Sequence, residues 1–316
     1  MRKNIAILSI LTTSLMSYAA MAQDEAAPSP EGAPPPEAVP PGPEAAPPAA
    51  APPEPAPAPA VAPAAAPAGY PDEYALRPLT LAAGMFQGTL PIVLNLSKDA
   101  VLKPVSIPLD LRFGVTNELE VFVSHTVLGA PMAWGGGLCL GGTNRGCAKA
   151  YNNVNLGGQF SFVKASGVEL SGLLAAEFRQ FSPDMLFAVD VGVGVKYVAA
   201  PVSVKLAPQI GIGVNNRAAQ SLSNKEDIAV PLQIVVQATP VIAPFLDTGI
   251  LGSTQDFGKN YIVPLGIGAS YLAMHGLDVG LEFLFGTLVR GDNIKAVMGN
   301  ATDVRMLMLF ASWRSM

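Results

Sequence analysis

Few residues in this chain could do covalent or metal chemistry, and they are scattered. Two cysteines and two histidines stand among 316 residues. Cys139 and Cys147 lie eight apart in WGGGLCLGGTNRGC. Two thiols fill only half of a tetrahedral metal site, so no metal is expected, and the spacing suits a disulfide that staples a glycine-rich loop. His125 follows Ser124, but adjacent strand residues point to opposite faces, so hydroxyl and imidazole cannot pair simply. His275 falls in a turn. A nucleophile and its base must sit within hydrogen-bond reach, and no such pair can be assembled, so the chain is not expected to be an enzyme. Glycines such as GVGV at 192–195 sit inside strand-like runs. A phosphate loop needs a strand-to-helix context, and no helix is expected beyond the first 22 residues. No cofactor is implied.

The remaining chemistry is charge, and its placement is ordered. In SIPLDLRFGVTNELEVFVSHT, residues 106–126, Ile107, Leu109, Leu111 and Phe113 share one parity; Ser106, Asp110 and Arg112 share the other. After the turn, Leu119, Val121 and Val123 oppose Glu118, Glu120 and Ser124. Side chains alternate faces with period two in a strand, so this is a hairpin with one apolar and one charged face. Elsewhere Val168, Leu170, Leu174 and Phe178 oppose Glu169, Glu177 and Arg179. Val189, Val191, Val193 and Tyr197 oppose Asp190 and Lys196, and Leu277, Val279, Leu281 and Phe283 oppose Asp278 and Glu282. With Lys205, Asp247 and Arg305 added, the charged faces hold nine acids and five bases.

The elements that must position these charges are long strands. Twelve are read, at about 79–96, 105–114, 118–127, 152–164, 168–180, 185–199, 202–215, 228–239, 241–253, 261–274, 277–289 and 303–314. Most exceed the usual length of about five or six residues and reach the roughly nine to eleven that a tilted strand needs to cross a bilayer. Connections on one side are short: 115–117, 165–167, Pro201, Pro240 and 275–276. On the other side they run over 97–104, 128–151, 181–184, 216–227, 254–260 and 290–302, and are generally longer. Short turns at one end and longer loops at the other characterise transmembrane barrels. An even strand number returns both ends of the barrel to the side of the short turns, the periplasm. A soluble barrel would reverse the faces; an exported soluble β-sandwich is the competing architecture, with its charges outside.

The N-terminal stretch is different material. Arg2 and Lys3, an apolar run from Ile5 to about Met16, and Ala20-Met21-Ala22 have the layout of a secretory signal peptide over residues 1–22. Residues 24–69 carry 17 of the 30 prolines, six acids and no base. Proline removes backbone donors and fixes φ, so residues 23–69 are expected to be an acidic Pro/Ala-rich disordered linker. Extended, it would reach roughly 140 Å. The chain's net charge is −5, of which residues 1–69 supply −4 (two bases, six acids). Residues 70–316 are therefore near neutral, with no basic field for nucleic acid.

From Arg77 to Arg314 the chain resembles proteobacterial outer-membrane β-barrel proteins of the porin or transporter type, with RFGVTNELEVFVS similar to their recurrent strand–turn–strand unit. The resemblance covers about three quarters of the chain and is one of pattern. It implies an all-β fold, a closed antiparallel transmembrane barrel of about 12 strands over residues 70–316. It implies outer-membrane lipid and the outer-membrane assembly machinery as partners. Residues 24–69 could touch the cell wall or a periplasmic protein. The fourteen charges would then line the lumen. The expected function is a passive channel for small hydrophilic solutes or ions, with mild cation preference because acidic rings favour cations. The alternative is a non-conducting structural or binding barrel with a periplasmic tether.

Overall fold

The computed structural model describes residues 69–97, 104–126, 136–140, 151–182, 184–217, 224–298 and 300–315. The signal-peptide and linker expectations, and Cys147, lie outside the described residues.

Twelve antiparallel strands close into a barrel. They are β1 (Phe86–Asn95), β2 (Val105–Ile107 and Asp110–Gly114), β3 (Leu119–Ser124, continued by Gly137–Leu140), and β4 (Tyr151–Asn152 and Val154–Ala165). Next come β5 (Val168–Gln180), β6 (Leu186–Ala199), β7 (Val202–Leu206 and Gln209–Gly213) and β8 (Asp227–Val236). The last are β9 (Ile242–Ser253), β10 (Tyr261–Met274), β11 (Leu277–Arg290) and β12 (Arg305–Arg314). Each strand pairs with its neighbours in sequence, and β12 pairs with β1 from Gln87↔Arg314 to Asn95↔Met306. That last pairing leaves no open edge, which lipid could not satisfy.

Local sequence explains the joints. Ser166 and Gly167 both take positive φ, the requirement of a tight two-residue hairpin whose twist matches its strands. Pro108 and Pro208 stand where β2 and β7 are interrupted. Proline has no ladder donor, yet the β6–β7 register is the same on both sides of the break.

Three expectations are corrected here. The first strand begins at Phe86, not near 79; residues 70–85 fold into the barrel instead. The long segment after β3 is not all loop, since Gly137–Leu140 returns to pair with Val105–Ile107. A seven-residue helix, α1 (Asp292–Met298), occupies the connection where no helix was expected.

The two faces separate as a membrane requires. Outward residues such as Leu174 (60% exposed), Ile267 (61%) and Leu281 (50%) are bare aliphatics. Ten residues separate the outward Phe187 and Tyr197 on β6. At about 3.3 Å per residue and a tilt near 40°, that is about 25 Å along the barrel axis, the height of a transmembrane barrel's apolar band. Rings mark both rims. Tyr197, Tyr271 and Trp313 stand exposed at the end with short turns. Near the other end Tyr151 stacks on Phe181, and Phe178 on Phe181, with centroids 5.6 and 5.9 Å apart. No helix among the described residues is long and apolar enough to cross a membrane, which says nothing of the strands.

Candidate functional site: a capped lumen

The inward faces build the site. Asp110, Glu120, Glu177, Arg179, Asp190, Lys196, Asp247, Asp278 and Glu282 are all buried on inward positions. Arg112 and Lys205 line an internal cavity of about 190 Å³ together with Asp110, Glu120, Lys196, Asp247 and Glu282. Glu169 is half-buried near the turn end, where it accepts a hydrogen bond from the Leu79 amide (2.6 Å).

Two expected lumen residues lie elsewhere. Glu118 is exposed in the β2–β3 turn, where Thr116 Oγ1 donates to it (3.1 Å). Arg305 has the outward parity of Leu307, Leu309 and Trp313 at the loop end of β12. Alternation gave no guidance there, because both faces of RMLMLFASWR are largely apolar.

The loop-end cluster joins four strands. Arg179 Nε donates to Glu177 (2.6 Å), and its Nη2 stands 2.8 Å from Asp227. Arg179 Nη1 donates to Asn224 and to the Lys225 carbonyl, both at 3.2 Å. Asp190 faces the same spot: a Cβ on Gly211 would meet Asp227, Arg179 and Asp190 within 2.8 Å. Three carboxylates thus surround one guanidinium. In mid-lumen Arg112 bonds Asp110 (2.8 Å) and Glu120 (3.1 Å).

The turn-end cluster holds a cap that strand periodicity did not foretell. Tyr70–Met85 enters the lumen, and a 3₁₀ turn covers Tyr74–Leu76. Arg77 clasps Asp278 through Nη1 and Nη2 (2.7 and 2.8 Å), and Arg314 reaches the same carboxylate (2.5 Å). Such bidentate, charge-assisted bonds are among the strongest a protein makes. Lys196 donates to the Arg77 carbonyl, the Leu81 amide to Glu120 (3.0 Å), and the Ala75 amide to Gln237 (3.0 Å). Tyr74 stacks on Phe245 (6.3 Å), and Arg77 lies over the Tyr74 ring (5.0 Å). Gly114 permits the cap's exit, since a Cβ there would stand 2.0 Å from the Ala82 carbonyl. Outermost, His275 Nδ1 sits 2.6 Å from Asp72. Partial burial pushes the Asp72 carboxyl up, but hydrogen bonds from His275 and the Gly276 amide outweigh it and hold the group below its ordinary value of 3.8. The signals for a cap were Pro78 and Gly84 inside a stretch of strand-like alternation.

The residues weighed for catalysis are occupied otherwise. His125 bonds the Leu109 carbonyl (2.6 Å) and the Tyr151 hydroxyl (2.7 Å), while Ser124 pairs with Thr126 (3.0 Å). Among the described residues no cluster of three His, Cys, Asp or Glu could hold a metal. Cys139 lies on the continued segment of β3, and none of the described cysteines is free. The expected Cys139–Cys147 disulfide falls on Cys147, outside the described residues.

No family model matches the chain, and no curated protein matches it. Its neighbours among solved structures are porins and outer-membrane channels. It is similar to the NanC porin, with 6% identity over 72% of this chain and 98% of that one, at a TM-score of 0.48. It is similar to the KdgM porin in complex with disordered oligogalacturonate, with 7% identity over 72% and 98%, at 0.48. It is also similar to the COG4313 outer membrane channel from Pseudomonas putida F1, with 10% identity over 75% and 97%, at 0.47. These likenesses are distant, and the functional reading rests on the barrel's own geometry.

Proposed function

We propose that the chain is an outer-membrane channel for small hydrophilic solutes or ions, with its short turns and both barrel ends in the periplasm. One observation carries this reading: ionic side chains are buried toward the axis while bare aliphatics form a belt about 25 Å tall. The Arg179 cluster near the loop end sets three acids about one base, which favours cations there. Among the described residues, Ser124 and His125 bond other partners and lend no support to an enzyme. Lipid and the outer-membrane assembly machinery are the partners this reading requires. Residues 24–69 would tether the barrel to the cell wall or a periplasmic protein, and a Cys139–Cys147 staple would restrain the outer loop.

The cap favours a second reading, a non-conducting structural or binding barrel, because residues 70–85 occupy the turn end of the lumen. Conductance of the refolded protein in planar bilayers decides between them. The channel reading expects cation-preferring steps, enlarged when Arg77→Ala loosens the cap. Silent bilayers containing folded barrels, with Arg77→Ala equally silent, would leave only the second reading. Deleting residues 24–69 would then abolish cell-wall association if the tether is the function.

A further inference from the structure

The inward wall from β9 to β12 differs from a simple ionic lining. Across these strands one row reads Phe245, Gly268, Glu282, Met308, each paired with the next. The row nearer the short turns contains Gly280 opposite Phe310. A Cβ on Gly268 would stand 2.3 Å from the Phe245 ring, and one on Gly280 2.2 Å from the Phe310 ring. The glycines therefore make room for both rings against the wall; Tyr74 of the cap stacks on Phe245, and Phe245, Met308 and Phe310 still line the cavity beside it. A Cβ on Gly266 would stand 2.0 Å from Glu282 Oε1, so this glycine makes room for the carboxylate.

Glu282 is the unusual member. It is 1% exposed, lines the cavity, and neither of its oxygens has a hydrogen-bond partner. The charged neighbour that acts on it is Asp247, another acid. Asp247 itself is served by Gln233 and Lys205. A buried carboxylate without a partner is costly. Here it is set beside two aromatic rings, whose faces attract organic cations, and a methionine that adapts to an apolar body.

We propose that this wall is a binding site for an amphipathic organic cation, an aryl- or alkylammonium, whose charge pairs with Glu282 and whose apolar body lies on Phe245, Met308 and Phe310. This names a ligand class for the lumen described above and rests on that lumen being reachable from the loop end. The acid excess around Arg179 would draw such a cation inward.

The test is calorimetric titration of the full-length protein in detergent with phenethylammonium and with neutral 2-phenylethanol. Wild type is expected to bind the ammonium at least about tenfold more tightly. Glu282→Gln, which keeps the shape, is expected to erase that preference. Phe245→Leu is expected to weaken phenethylammonium while the preference for charge persists. Equal affinity for the two probes in wild type overturns the proposal and needs no variant. So does a preference that survives Glu282→Gln, which would mean that Glu282 carries no charge for the ligand. Binding is read here without transport. A non-conducting barrel that prefers the ammonium sinks the channel reading alone, and a conducting barrel with no preference sinks this one alone.

Discussion

The lumen has two unlike halves. From β1 to β7 the inward positions are mostly polar: Thr89, Asp110, Glu120, Ser124, Asn155, Gln159, Ser171, Glu177, Asp190 and Lys196 are all buried there. The buried apolar residues on that side are few: Phe122 and Ala175 cluster with Leu173 against them, Leu186 and Ala188 belong to neither cluster, and Val93 of β1 joins the apolar cluster of the other half. From β8 to β12 the inward face carries Val235, Phe245, Leu251, Ile262, Leu284, Met306, Met308 and Phe310 in one apolar cluster, which Tyr74 of the cap joins. The first half is held by charges that neutralise one another. The second is held by dispersion and exclusion of water, with isolated acids set into it. Their failure modes should differ accordingly: loss of one member strands its partners in the polar half, whereas loss of shape matters in the apolar half.

The sharpest break is expected in the polar half. Arg112→Ala would leave Asp110 and Glu120 buried without their cation. Removing one partner of a buried pair costs about 3–5 kcal/mol, and urea unfolding of vesicle-inserted protein should show a loss of that order. A loss below about 1 kcal/mol would mean that water already solvates this cluster.

In the apolar half, Gly268→Ala should displace the Phe245 ring and cost about 1–3 kcal/mol through overpacking. Loosened contact between Phe245 and Tyr74 should appear as faster proteolysis before Phe86. Unchanged stability and proteolysis would show that the ring does not rest on the glycine.

The smallest effect sits where the cap meets the short turns. Asp72 is held below its ordinary 3.8, so its contribution is complete above that value and is lost as pH falls through the lowered one. Asp72→Asn should therefore loosen the cap slightly at neutral pH and remove part of its acid sensitivity below about pH 4. The carboxylate is partly exposed, so screening keeps the effect small. Cap proteolysis followed against pH measures it, and identical profiles for wild type and variant would discount the Asp72–His275 contact.

Much of this was legible in the residue pattern, and the exceptions share a cause. Strand number, order and parity of connections follow from alternation plus turn residues, because one face of each strand is strongly marked. Glu177, Asp190 and Glu282 were placed by that marking. Where both faces are apolar, as in RMLMLFASWR, parity cannot be read; Arg305 and Arg314 have opposite parity, and only pairing with β11 puts Arg314 beside Asp278. Asp227 was missed because it is the first residue of its strand. The cap was missed because Leu79 and Leu81 alternate like a strand, while the cap's place inside the barrel depends on partners up to 203 positions away.

All of these contrasts presuppose aliphatic residues facing lipid and ionic ones facing the axis. The most direct measurement places one tryptophan at Ile267, mid-strand and outward on β10, with Trp134 and Trp313 replaced by Phe. In vesicles whose acyl chains are brominated near their centre, its fluorescence should be strongly quenched, and aqueous iodide should have little effect. Quenching by iodide with indifference to the brominated lipid would place Ile267 in water and contradict the orientation of the whole barrel.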